Sequence, residues 1–244
     1  MNNLILYFTY KYNGNPSQVH KAIKASEPIE KDVVLNYMLL ELDIHNVKFL
    51  TILDDNFPPE LQKYANAPLL LFYRGNIELL NKPKITLTAD LATDLTNANI
   101  KDSIQKLAKE FVLVTTNFKT LDQQIIQEWK KQNGDIIYTY AYGLAHETND
   151  QLDEHTLQIS TYPPNAHPKL SRFRERNILV SWLSKFLIIY SSKKDSGILN
   201  LASCFNDAGK EVFCYPGVDY DDGNTQLLKS GAHLITHIAD IAYI

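Results

Sequence analysis

"FLIIYSSKKDSGILNLASCFNDAGKEVFCYPG", residues 186–217, packs three elements into one stretch. It opens on an almost wholly apolar run, "FLIIYSS", the pattern of a strand covered on both faces. Ser196-Gly197 then opens a helix, "SGILNLASCFNDAG", which Gly209 closes. "KEVFCYPG" reads as a second strand, ending in a Pro216-Gly217 turn. Strand, helix and strand in this order make a parallel crossover unit, and the rest of the chain either repeats it or does not.

Toward the N-terminus it repeats. The helix "ERNILVSWLSK" leads into residue 186, and the strands "KITLTA", "FVLVTT", "DIIYTYA" and "HTLQIST" come before it. Helices "KDSIQKLAKE" and "LDQQIIQEWKKQN" separate the first three. After residue 217 come a long helix, "GNTQLLKSGA", and a strand-like "HLIT". Strands alternating with helices mean an α/β fold with a doubly wound, mostly parallel sheet. Before residue 82 the texture differs: helices over "NPSQVHKAIKAS" and "EKDVVLNYMLLEL", then a turn-rich stretch around the apolar run 69–73. The expected organisation is a helical domain and linker over 1–82 and an α/β domain over 83–244, joined near "NKPK".

The chain has 244 residues, 45% of them hydrophobic and 21% charged, ordinary for a globular protein. The expectation is a chain with no leader and no membrane association, since "NLILYF" is too short for a leader or a span. Cys204 and Cys214 lack metal or redox spacing, which suggests two buried thiols in a reducing, cytoplasmic setting. The net charge of -4 argues against indiscriminate coating of nucleic acid. The distribution is uneven, however. Lys169, Arg172, Arg174, Arg176, Lys185, Lys193 and Lys194 face only Glu175 across residues 163–194, a local +6 on a chain otherwise at -10. Three of the four arginines sit in "SRFRERN", and an arginine fork grips phosphate oxygens two at a time. On an extended chain these positions would point one way; on a helix they would fan apart.

Ligands of an open parallel sheet bind beyond the strand carboxyl ends. "SSKKDSG" there offers Lys193, Lys194 and the hydroxyl of Ser196, with helix N–H groups starting at Gly197. "TNFKTLD" offers Lys119 but no glycine, and "TADLATDL" is acidic and glycine-free, unsuited to phosphate. Chemistry beyond binding finds no support. His233 and His237 are four apart without a third metal ligand, and His146-Glu147 has no nucleophile in a recognisable context. No catalytic residue, metal or cofactor is assigned.

Several ordered motifs resemble the DprA/Smf family of DNA-processing proteins. They begin with Phe57-Pro58, Leu61, Pro68, Phe72 and Gly75-Asn76 and continue with Tyr162-Pro163, Phe173, Arg176 and Asn177. Ser196-Gly197, Leu199, Ala202, Gly209, Val212 and Pro216-Gly217 follow, then Gly223-Asn224, Leu227 and Gly231-Ala232. The resemblance implies an extended Rossmann-like domain behind a small helical one. It also implies a non-enzymatic protein of DNA uptake and natural transformation that binds single-stranded DNA, loads the RecA recombinase and forms a homodimer. The nucleic-acid-binding residues it points to, together with the basic patch, are Arg172, Phe173, Arg174, Arg176, Asn177, Lys193, Lys194, Ser196, Gly197 and Lys119.

The chain departs from the pattern at defined places. The family's Gly-Ser-Arg loop is "LTADLA", and its glycine-rich second loop is "TTNFKTLDQQII", keeping Lys119 and Asp122. Ile178 and Ile198 replace an arginine and a serine, and no winged-helix extension is expected after the last sheet element. Two alternatives follow. One is a dimeric platform that contacts a recombinase without gripping DNA. The other is a nucleotide-processing enzyme, which needs a glycine-rich loop and a catalytic acid, a pair this sequence does not offer.

Overall fold

In the structure, a computed structural model describing residues 1–29, 32–118, 120–147 and 152–241, the apolar run at residue 186 is a strand buried along its whole length. In chain order, α1 (Asn2–Lys11) comes first, buried without a break from Ile5 to Thr9 and so enclosed rather than amphipathic. Asn15 caps α2 (Pro16–Lys24) by accepting from the Gln18 N–H, and Pro16 takes the first helical position, where no N–H is needed. Then come α3 (Asp32–Ile44), β1 (Lys48–Thr51) and β2 (Leu70–Gly75). The alternating part runs β3 (Lys84–Ala89), α4 (Asp94–Glu110), β4 (Val112–Thr115), α5 (Thr120–Lys131) and β5 (Ile136–Tyr140). It continues with β6 (Thr156–Ser160), α6 (Leu170–Leu183), β7 (Phe186–Ser191) and α7 (Gly197–Asp207), and closes with β8 (Glu211–Cys214), α8 (Gly223–Lys229) and β9 (His233–Leu234).

The chain divides into two units. The first is Met1–Asn81 with Thr139–Arg176. In it β2 lies between β1 and β6, antiparallel to both. Tyr7, Phe8, Val19 and Ala22 form a small helical core, with Val34 and Met38 packed against it. Gly75 ends β2 at φ +92°, and a Cβ there would lie 2.2 Å from the Thr156 carbonyl oxygen. Arg74 is almost fully buried and donates through Nε and Nη2 to the His45 carbonyl at 3.0 and 2.6 Å.

The second unit is Lys82–Tyr138 with Asn177–Ile244. Its strands lie side by side as β5-β4-β3-β7-β8-β9, each pair parallel. Counted along the chain, that order is third, second, first, fourth, fifth, sixth, the arrangement of a Rossmann-like doubly wound sheet. The order reverses between β3 and β7. Ile85, Leu87, Ile188, Phe213 and Trp129 share its core with the apolar faces of α4 and α5. The Trp129 indole donates to the Asp135 carbonyl at 2.9 Å, which satisfies its buried N–H.

Neither Cys204 nor Cys214 is in a disulfide, and both are buried. Burial pushes the Cys214 thiol up to about 12, which keeps it protonated and unreactive. Among the described residues no helix is long and apolar enough to cross a membrane.

Candidate nucleic-acid interface

The reversal of strand order places the second unit's crevice beyond the carboxyl ends of β3 and β7. The two loops there are tied together. Ser191 Oγ donates to the Leu91 carbonyl at 2.9 Å and accepts from the Leu91 N–H at 3.0 Å. The Asp90 N–H reaches the Ser191 carbonyl at 2.9 Å. Behind them Asn224 is fixed by the Ser192 hydroxyl at 2.7 Å and donates to the Tyr215 carbonyl at 2.9 Å.

At the start of α7, Asp195 takes the left-handed conformation, φ 59°, and turns the chain into the helix. Ser196 caps α7 by accepting from the Ile198 N–H at 3.1 Å. Its hydroxyl also donates to the Asp90 carboxylate. The helix terminus that would draw a phosphate therefore already has a negative charge beside it. Gly197 has open space where a side chain would stand. Lys193 is exposed and has no described side-chain partner. Lys194 lies 3.6 Å from Asp221, an exposed pair that holds neither side chain firmly.

The β4–α5 loop lacks glycine but not the left-handed turn that glycine would supply. Asn117 takes φ 47°, with its N–H on Thr115 Oγ1 at 3.1 Å. Asp122, nearly fully buried, accepts from the Thr88 hydroxyl at 2.9 Å and the Phe118 N–H at 3.3 Å. The loop is built from side-chain hydrogen bonds. Lys119 lies outside the described residues.

Arg172, Phe173, Arg174 and Arg176 belong to the first unit, Asn177, Lys193, Lys194, Ser196 and Gly197 to the second. The arginine cluster is helical, so residues two apart diverge by about 200° while residues four apart share a side. Arg172 and Arg176, four apart, are both buried, 4% and 8% exposed. Arg174 points the other way, is exposed, and has no described hydrogen-bond or ion-pair partner. The Arg172 guanidinium lies over the Tyr162 ring at 4.3 Å, and Arg176 lies over Phe173 at 5.3 Å. Glu175 accepts from the Tyr162 hydroxyl, and burial together with that bond pushes the phenol's pKa well up. In the second unit Asn177 donates to Asn200 Oδ1 at 3.1 Å.

Asp90 is the residue that reading the chain did not single out. Its only signal was the acidic character of "TADLATDL", because its partner Ser196 lies 106 positions away.

With this geometry in hand, the family model for DNA recombination-mediator protein A matches residues 48–243. The chain is 31% identical over 202 residues to DNA processing protein DprA of Streptococcus pneumoniae, covering 78% of this chain and 72% of that one. The X-ray structure of DNA processing protein A from Streptococcus pneumoniae superposes at TM-score 0.73 with 26% identity, over 93% of this chain and 81% of that one. DNA processing protein A from Helicobacter pylori, solved for its single-stranded DNA binding mode, shares the fold at TM-score 0.69 and 22% identity, over 80% of this chain and 94% of that one.

Proposed function

This chain belongs to the DNA recombination-mediator protein A family of DNA-processing proteins, and on that premise we propose that it binds single-stranded DNA. The observation that carries the proposal is a set of exposed cations without fixed partners, Arg174 on α6 and Lys193 before α7. A cation held by no carboxylate is free to neutralise a backbone phosphate and release the counterions condensed on the strand. Lys194, loosely paired with Asp221, would add to them, as would Lys119. Phe173, half-buried, would stack a base. Arg172 and Arg176 are turned inward and would brace α6, while Ser196 and Gly197 would meet a phosphate only against the charge of Asp90. In this reading the protein is not an enzyme: it receives an incoming strand in natural transformation, acts as a homodimer in the cytoplasm, and passes the strand to the RecA recombinase.

One observation favours a second reading. The carboxylate of Asp90 beside the α7 terminus weakens the most usual anion position of the fold. A chain that had given up strand binding would keep the fold as a platform for the recombinase alone.

Titration of a labelled single strand against the matching duplex separates the two. The proposal expects saturable binding of the single strand and much weaker binding of the duplex. A flat response to both, with the recombinase still captured in the absence of DNA, would replace it by the platform.

A further inference from the structure

Arg172 poses an electrostatic problem that the strand proposal leaves unsolved. The residue is 4% exposed, yet its one hydrogen bond among the described residues runs from Nη1 to the His167 carbonyl. No carboxylate among the described residues pairs with it, and the adjacent Glu175 gives its carboxylate to the Tyr162 hydroxyl. Tyr162 supplies a ring face at 4.3 Å, but a ring face does not neutralise a full charge. The bond to His167 uses one of the five guanidinium N–H groups, and none of the rest is sealed away from solvent, so they are open to an anion.

Space for one exists on the same side of the first unit. Arg172 lines an open cavity of about 400 Å³ together with Lys169, His167, Asn165, Tyr10 and Glu41. That volume falls within the range of small-molecule sites. The cavity carries charges of both signs. Arg172 and Lys169 bring positive charge from α6 and the segment before it. Glu41, on α3, brings an acceptor that already takes a hydrogen bond from Asn165 Nδ2. Tyr10 and His167 contribute flat rings, the latter set against His146 with centroids 4.7 Å apart. An occupant that satisfies these walls carries an anion, a flat ring and a hydrogen-bond donor.

We propose that this cavity binds a nucleotide by its terminal phosphate monoester. Arg172 and Lys169 take the phosphate, and Glu41 faces the donor edge of the base. A free mononucleotide and the 5′-phosphorylated end of a strand present the same chemistry. The site lies wholly in the first unit and does not require that the chain bind strands along their length.

The test uses the full chain in calorimetric titrations with deoxynucleoside monophosphates, the matching nucleosides, and two short oligonucleotides that differ only in a 5′-phosphate. The monophosphates should bind and the nucleosides should not. Lys169→Glu, at an exposed position, should leave the melting temperature unchanged and weaken the monophosphates by at least about tenfold, the loss of one charge-assisted contact. Glu41→Gln should change the preference among bases. A 5′-phosphate that strengthens oligonucleotide binding identifies the strand end as the source, and one that does not, with monophosphates still binding, identifies the free nucleotide. The proposal is overturned if no phosphate-bearing probe binds, or if Lys169→Glu leaves their affinity intact. A long unphosphorylated strand, run in parallel, reports on strand binding separately: its binding beside silent monophosphates removes the cavity and keeps the strand.

Discussion

Replacing Asp90 by asparagine removes the negative charge beside α7 while keeping an oxygen for the Ser196 hydroxyl. The loop should survive, because the Asp90 N–H on the Ser191 carbonyl and the Leu91 N–H on Ser191 Oγ are backbone donors that the substitution leaves alone. The stability lost is that of one anion near a helix N-terminus, about 0.3–1 kcal/mol. The strand should gain. A phosphate approaching Ser196 would stand about 6 Å from the carboxylate, and two unit charges at that distance repel by about 0.7 kcal/mol in water. Removing the charge should tighten single-strand binding by about threefold at low salt. The gain should shrink toward nothing as the Debye length falls below that separation. Fluorescence anisotropy with a labelled thymidine oligonucleotide measures it, with a thermal melt as the folding control. Unchanged or weaker affinity in a folded Asp90→Asn protein would mean that the strand does not approach α7, and the reasoning about this terminus would fail.

Gly197→Ala tests the same approach sterically. Nothing lies within 4 Å of the added methyl, so stability should hold or rise by about 0.5 kcal/mol while strand affinity falls. Unchanged affinity on a stable variant would place the strand elsewhere. Gly75→Ala should destabilise the protein by about 2 kcal/mol or more in urea unfolding, since φ +92° and the Thr156 carbonyl both exclude a side chain; a neutral result would contradict the tight approach of β2 to β6. Asp222 caps α8. Burial pushes its carboxyl up, but N–H donors from Thr225, Asp219 and Val218 outweigh that, and its pKa is lowered overall. A lowered folded value means a contribution that is full above the ordinary carboxylate range and lost as pH falls through the lowered one. Asp222→Ala should therefore cost about 1 kcal/mol at neutral pH, and the difference from the parent should close on acidification. A gap independent of pH would refute the assignment.

The crossover around residue 186 was legible because a long apolar run and a glycine-closed helix have few other readings. The doubly wound, parallel character of the second unit then followed from alternation, whereas its strand order shows only in the fold. What escaped has physical reasons. α1 is buried from Ile5 to Thr9, so its apolar residues show no helical period and nothing in the sequence marks it as a helix. β1 covers only four residues. α4 starts at Asp94 and α6 at Leu170, both earlier than their periodic cores suggest, because the leucines of their first turns, Leu95 and Leu170, are exposed and extend no buried apolar stripe. α8 runs for seven residues, ended at Ser230 before Gly231 takes a positive φ, so the long helix expected there is short. The arginine cluster was visible as composition. Which arginine faces out was not, because that depends on α6 being helical through Arg176 and on Tyr162 lying beneath Arg172. Likewise the glycine-free loop after β4 looked broken, yet Asn117 supplies its left-handed turn.

The central claim is that exposed, unpaired cations give this fold its hold on a single strand. It is tested most directly by the salt dependence of oligonucleotide binding for the parent and for Arg174→Ala with Lys193→Ala. Between about 50 and 200 mM salt the parent should lose affinity steeply, and the double variant should bind more weakly with a slope shallower by about 1.4, the share of two phosphates on a single strand. Identical slopes in the two proteins, or no binding by the parent at low salt, would contradict it.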